Sequence, residues 1–392
     1  MLLGNAAGEC GPGGKGHAEV DRRAVLGVVL AMGVGGFAGC GGLDGTRDAS
    51  ALRFDGGGYL LKSASVKVGK SRKTVRYRLY SGIPYVSHPA DPARQRLSVR
   101  VPVEVDGKAV NSGRAPIMMT TANGGEEPAA ENGIALASGV VVVTSGVRDT
   151  AWDGIVDLKA AIRYVRHNKG RLPGDDARIV ASGSGRGGGL AALAGASAGR
   201  GQYDDDLRRI GAAKASDLVY AVAASAPVTE IGKADLAYDR KGILTKYLEP
   251  AGAAYLKQLP EGDRALYLKR NSWIDWMHSR ISFTLDAFLD HTGTRKAADL
   301  AAVAKPARML RNPMDFVRQR NPDRARHWWL RAGTDGTDVP LTVVGNLATG
   351  LQGLGDDVDA AVDWNARDHH PANGSAASGL VEWITGTVAR RS

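Results

Sequence analysis

The chain has 392 residues, 43% hydrophobic and 23% charged, with 51 Lys and Arg against 41 Asp and Glu for a formal net charge of +10. This length holds one large α/β domain with an insertion, or two domains, and the composition excludes a disordered or disulfide-framed chain. The cations are scattered along the sequence without a basic stripe or nucleic-acid-binding motif, so a generally arginine-rich surface is expected and no nucleic-acid partner.

Residues 1–39 read as a targeting segment. Arg22-Arg23 precedes a short, glycine-rich apolar run that ends at Ala38, and this pattern resembles a twin-arginine export signal. The run is too short for a comfortable membrane span. It closes in Phe37-Ala38-Gly39-Cys40, which resembles a bacterial lipobox, with Phe37 departing from the usual leucine. The two cysteines are Cys10 and Cys40. Cleavage before Cys40 leaves one cysteine, where lipid attachment needs it. The expectation is an exported lipoprotein on the outer face of a bacterial cell membrane, with residues 40–58 as a tether.

Between Tyr59 and Val105 apolar and polar residues mostly alternate, which predicts half-exposed antiparallel strands at Ser65–Val68, Thr74–Tyr80 and Leu97–Val103. Continuous apolar runs follow at Ala115–Met119 and Gly139–Val143, as in strands buried on both faces. Asp153–Asn168 places Ile155, Leu158, Ile162 and Val165 on one helical face, with Asp153 as a candidate N-cap. A strand at Ala177–Ala181 leads into Gly183-Ser184-Gly185-Arg186-Gly187-Gly188, then a helix of small residues to Ser197, then a strand at Leu218–Ala224. This alternation predicts a mostly parallel sheet with right-handed crossovers. From 228 to 325 the strand signal disappears into a helical, aromatic-rich insertion, read as a lid. Strand–helix alternation resumes with His327–Ala332, Pro340–Leu354, Ala360–Trp364 and Ala376–Val388. The core is therefore 59–227 and 326–392, interrupted by the lid.

The strand, glycine turn and helix around Ser184 have the layout of a nucleophile elbow. If Gly183 and Gly187 frame the turn, its central position is Gly185, which has no side chain. Gly195-Ala196-Ser197-Ala198-Gly199 also matches Gly-x-Ser-x-Gly but lacks a preceding strand, and is set aside. The turn also lacks the endings of a P-loop or a dinucleotide fingerprint, and no Cys/His/Asp group has metal-ligand spacing, so neither metal nor cofactor is expected.

Taken together, Tyr85–Asp91, Ala115-Pro116-Ile117 leading to Asn123-Gly124-Gly125, Ile155–Tyr164, the elbow, and Pro227-Val228-Thr229 with Ala234–Tyr238 resemble the tannase and feruloyl-esterase-like branch of the α/β-hydrolases over most of residues 60–390. The resemblance implies an α/β-hydrolase fold and acyl transfer from aryl or phenolic esters to a serine, with a histidine base and a carboxylate behind it. It implies oxyanion donors near Gly124, Gly125 and Arg186, and the triad histidine at His370, beside His369. For the acid it leaves Asp335 and Asp338 open, because the family's first aspartate falls on Gly336. Ser184 falls where the family has threonine, and Gly185 where it has the serine. Arg186 would crowd an acyl group at the turn, or bind an anionic one. Three readings follow: a lipid-anchored esterase with an unusual elbow, a pseudoenzyme that keeps a pocket for a small ester or phenolic ligand, and an interaction lipoprotein that presents its lid aromatics.

Overall fold

The computed structural model describes residues 52–122, 130–149, 151–229, 237, 239–292, 312–334, 341–366 and 375–389. The leader, Cys40, Gly124, Gly125, Asp335, Asp338, His369 and His370 lie outside them.

The alternating N-terminal segments form three antiparallel strands, β1 (Leu60–Val68), β2 (Ser71–Pro84) and β3 (Arg96–Val105), with a short β4 (Lys108–Ala109) paired to β3. The apolar runs become the parallel strands β5 (Pro116–Ala122), β6 (Val141–Gly146), β7 (Asp175–Ser184) and β8 (Ala221–Ser225). After the insertion, which carries β9 (Asp275–Met277) and β10 (Arg280–Ser282), the sheet is completed by β11 (His327–Gly333) and β12 (Asp357–Asp363). The order is β1-β2-β3-β6-β5-β7-β8-β11-β12. This is the mostly parallel sheet with antiparallel N-terminal strands that the alternation predicts.

Helices cover both faces because the parallel strands are apolar on both. One face packs α1 (Ala130–Ala137) and the C-terminal helix Ser375–Ala389 over Met118, Val142 and Val180. The other packs α2 (Ala151–His167), α3 (Arg186–Ala196) and Leu341–Gly353 over Met119, Val143 and Ala181. Small residues let α3 lie close to the sheet: a Cβ on Gly195 would stand 2.3 Å from Val222 Cγ2.

Four expectations need correction. Asp153 is not the N-cap of α2, which starts at Ala151; it sits in the first turn and bonds Arg148 at 3.0 Å. Leu52 and Phe54, read as tether, are buried, and Asn168 at the end of α2 bonds the Leu52 carbonyl and the Phe54 amide. The insertion is mainly helical, with Glu249–Gln258, Glu261–Arg270 and Leu285–His291, but it also holds the β9–β10 hairpin. The cations are not evenly spread: seven of them, with no carboxylate between them, fall within residues 60–84, the β1–β2 hairpin.

Candidate active site

At their C-terminal ends the central strands change character. After apolar interiors they finish in Thr120-Thr121, Thr144-Ser145, Ser182-Gly183-Ser184 and Ser225. In open α/β sheets this edge is where ligands bind. A cleft of about 840 Å³ lies there, lined by Thr120, Thr144, Gly183, Ser184, Ser98 and Arg100 among others.

The turn between β7 and α3 is built by glycines. Gly185 has φ 55° and ψ −119°, a region that L-residues enter only under strain. A Cβ on Gly183 would stand 2.4 Å from the Gly187 carbonyl carbon, and one on Gly189 2.3 Å from the Val228 carbonyl oxygen. Backbone bonds hold the turn from both sides: Gly185 N–H donates to Ser225 O at 2.9 Å, and Val228 N–H donates to Gly185 O at 3.0 Å. By strand alternation Ser184 shares its face with Val180 and Ser182, toward α1 and the C-terminal helix. Ser197 caps the far end of α3, buried, with its hydroxyl on Leu193 O at 2.6 Å, which agrees with setting it aside.

The sequence reading missed the floor of the cleft. Register places Ser98 beside Thr144, Thr144 beside Thr120, and Thr120 beside Ser182, so four strands present a row of hydroxyls on one face. Thr120 and Thr144 bond at 3.3 Å, and the buried Arg100 guanidinium donates to Ser98 and Thr144 at 3.2 Å each. Each strand contributes one or two polar residues to an otherwise apolar segment, too weak a signal in any single run.

Behind the cleft the β6–α2 loop is fixed by Asp157, fully buried on α2. Its carboxylate accepts from the Arg148 amide (2.8 Å), the Arg148 guanidinium (2.9 Å) and Gln95 (2.8 Å). Burial works against the Arg148 charge, but Asp157 outweighs it and raises the Arg148 pKa. Burial, then the nearby Asp157 charge, pushes the Tyr85 hydroxyl well above its usual range, and Tyr85 donates to Gly146 O at 2.8 Å. The Arg186 guanidinium reaches toward the same loop, donating to Arg148 O at 2.9 Å. Arg94 bonds Asp149, whose pKa it lowers.

On the other side, the ends of β11 and β12 are joined. Thr334 N–H donates to Asp363 O at 3.1 Å, and Asn365 N–H donates to Thr334 Oγ1 at 2.7 Å. Asp363 is a partly buried carboxylate at this edge whose pKa burial raises, against the pull of Arg331. The insertion grips the segment that follows β12. Trp364 donates to Tyr267 OH at 2.9 Å and packs among Trp273, Phe283 and Phe288, while Asn365 bonds Tyr255 OH at 3.0 Å.

With this geometry in place, the class of fold is clear: an α/β-hydrolase fold with a mixed, mostly parallel sheet and an insertion before β11. Residues 90–260 match the BD-FAE family model. Among solved structures, a tannin acyl hydrolase in complex with ethyl gallate is 22% identical with a TM-score of 0.70, covering 87% of this chain and 99% of that one. The native tannin acyl hydrolase from Lactobacillus plantarum is 22% identical with a TM-score of 0.68, covering 86% and 98%. The Fusobacterium nucleatum tannase is 21% identical with a TM-score of 0.63, covering 86% and 99%. At these identities the likeness establishes the fold. No curated protein sequence matches the chain.

Proposed function

We propose that this protein is an exported, lipid-anchored α/β-hydrolase-fold protein that binds a small aryl or phenolic ester and turns it over little or not at all. The observation that carries this reading is Gly185, which holds the strained apex of the β7–α3 turn without a side chain. In serine hydrolases of this fold the nucleophile occupies that apex, and the next residue's amide, here that of Arg186, helps hold the oxyanion. Ser184, one residue earlier, belongs to the strand and not to the apex.

The remaining members of the constellation, Asp335, Asp338, His370, Gly124 and Gly125, are proposed from their positions in the chain. Asp335 follows Thr334 directly, and His370 follows Asn365 by five residues, so both candidate segments depart from a pair of residues in hydrogen-bond contact. Asp338 belongs to the same segment as Asp335. In the sequence Gly124 and Gly125 come soon after β5, the strand that pairs with β6 and β7. The bound ethyl gallate of the tannin acyl hydrolase suggests the ligand class. Lipid at Cys40 gives the location.

The test is ligand-dependent melting. Ethyl gallate present at about 100 times its Kd should stabilise the protein by roughly 2.7 kcal/mol. An unchanged melting curve with gallate and other phenolic esters would remove the pocket reading and leave an interaction lipoprotein.

A further inference from the structure

We propose that one face of the β1–β2 hairpin is a docking surface for an anionic phospholipid membrane. Residues 60–84 carry Lys62, Lys67, Lys70, Arg72 and Lys73, then Arg76 and Arg78, and contain no Asp or Glu. This short segment thus supplies a charge of +7 within a chain whose formal net charge is +10.

Register sorts these groups by face. Leu61 pairs with Arg78, Ser63 with Arg76, Ser65 with Thr74, and Lys67 with Arg72. The alternate residues Ala64, Val66 and Val68 pack inward against the core cluster that includes α1. The outward face therefore presents Lys67, Arg72, Arg76 and Arg78 together with Leu61 and Tyr59, which are 52% and 41% exposed. Arg78 lies 5.0 Å from the Tyr59 ring centroid, and Arg76 bonds Glu104 at 2.9 Å.

A single lysine is enough to blunt an edge strand such as β1 against pairing with other chains. Four cations on one face, of which only Arg76 is bonded to a carboxylate of β3, exceed that need. Exposed leucine and tyrosine beside clustered Lys and Arg are the combination that binds a lipid interface, the apolar groups entering the headgroup boundary and the cations meeting anionic lipid. The nine residues of β1 make a strip roughly 30 Å long. The proposal does not depend on lipid at Cys40.

The experiment uses the mature chain from residue 40 onward carrying Cys40→Ala, so that neither lipid attachment nor the apolar leader plays a part. It is sedimented with vesicles of phosphatidylcholine alone or with 30 mol% phosphatidylglycerol, in low and high salt. A second protein adds Lys67→Gln, Lys70→Gln and Arg72→Gln, and thermal melting checks that it folds. Binding should require phosphatidylglycerol, weaken with salt, and fall on the order of 100-fold in the triple variant, at about fivefold per cation. A Leu61→Ser chain should lose the part of binding that survives high salt. Equal binding to neutral vesicles, or anionic-vesicle binding unchanged in the folded triple variant, would overturn the proposal. So would tighter binding to a single-stranded oligonucleotide than to the vesicles.

Discussion

The amide of Gly185 donates to the carbonyl of Ser225 at 2.9 Å, just beyond the last ladder pair between β7 and β8, Ser184 with Ser225. That bond fixes the apex of the turn to the neighbouring strand while its φ stays at 55°. The strained conformation is thus held by the sheet and does not depend on a side chain at the apex. Glycine accepts these dihedrals without a Cβ clash, so the turn keeps its shape with no side chain at the apex.

The framing glycine should be less replaceable than the apex. Gly183→Ala puts a Cβ 2.4–2.8 Å from three backbone atoms of Gly187 and Gly188, which cannot swing aside. A destabilisation of about 3 kcal/mol is expected in chemical denaturation. Gly262→Ala, on an exposed helix with nothing within 4 Å, should be neutral or slightly stabilising.

Asp157→Asn should cost about 3 kcal/mol, because it removes the buried one of the two carboxylates that neutralise the part-buried Arg148 guanidinium and leaves it only the more exposed Asp153. The loop that follows β6 loses its anchor in the same step. Hydrogen exchange at Val147 and Arg148 should rise more than the global stability loss accounts for. Equal protection in the variant and wild type would show that the loop is held by other contacts.

A third prediction concerns pH. Lys159 is fully buried, and burial lowers its pKa to about 8 in spite of the Asp217 carboxylate 3.5 Å away. Its unfolded value is near 10.4. Between these values the unfolded chain binds the extra proton, so stability from this group rises with pH from about 8 to about 10.5. Below pH 8 the charged lysine works against folding. Relative to Lys159→Met, the wild type should gain in melting temperature over that interval. A constant difference between the two proteins would show that the lysine titrates normally.

The sequence made the sheet legible where periodicity was strong. Alternation marked β1 to β3, apolar runs marked β5 to β8, and the small residues after the turn marked α3. It missed α1, a short helix containing Asn132-Gly133, stabilised by tertiary contact: a Cβ on Gly133 would already stand 3.3 Å from Val66 Cγ2. It missed the β9–β10 hairpin because the turn uses His278 and Ser279, both at positive φ, where asparagine or glycine would have given the signal. The hydroxyl row from Ser98 to Ser182 and the cationic face of the β1–β2 hairpin are properties of register. Each strand of the hydroxyl row contributes one or two members, and pairing brings them together; the cations lie close together in the sequence already, and pairing decides which of them share a face.

Anchoring is tested by fractionation. Cys40→Ala should abolish metabolic labelling by a fatty acid and leave the leader uncleaved at that position. Labelling that persists without Cys40 would rule out the lipobox.

The central claim is that the apex of the turn has lost its nucleophile. Its most direct measurement is hydrolysis of aryl acetates and ethyl gallate by purified wild type, Ser184→Ala and Gly185→Ser. The account predicts wild-type turnover close to the buffer rate and no further loss in Ser184→Ala. Gly185→Ser should gain roughly 100-fold or more, well short of the about 10⁶-fold that a complete triad supplies, and lose about 1–3 kcal/mol of stability to strain. Robust wild-type hydrolysis that disappears in Ser184→Ala would contradict it and make Ser184 the working nucleophile.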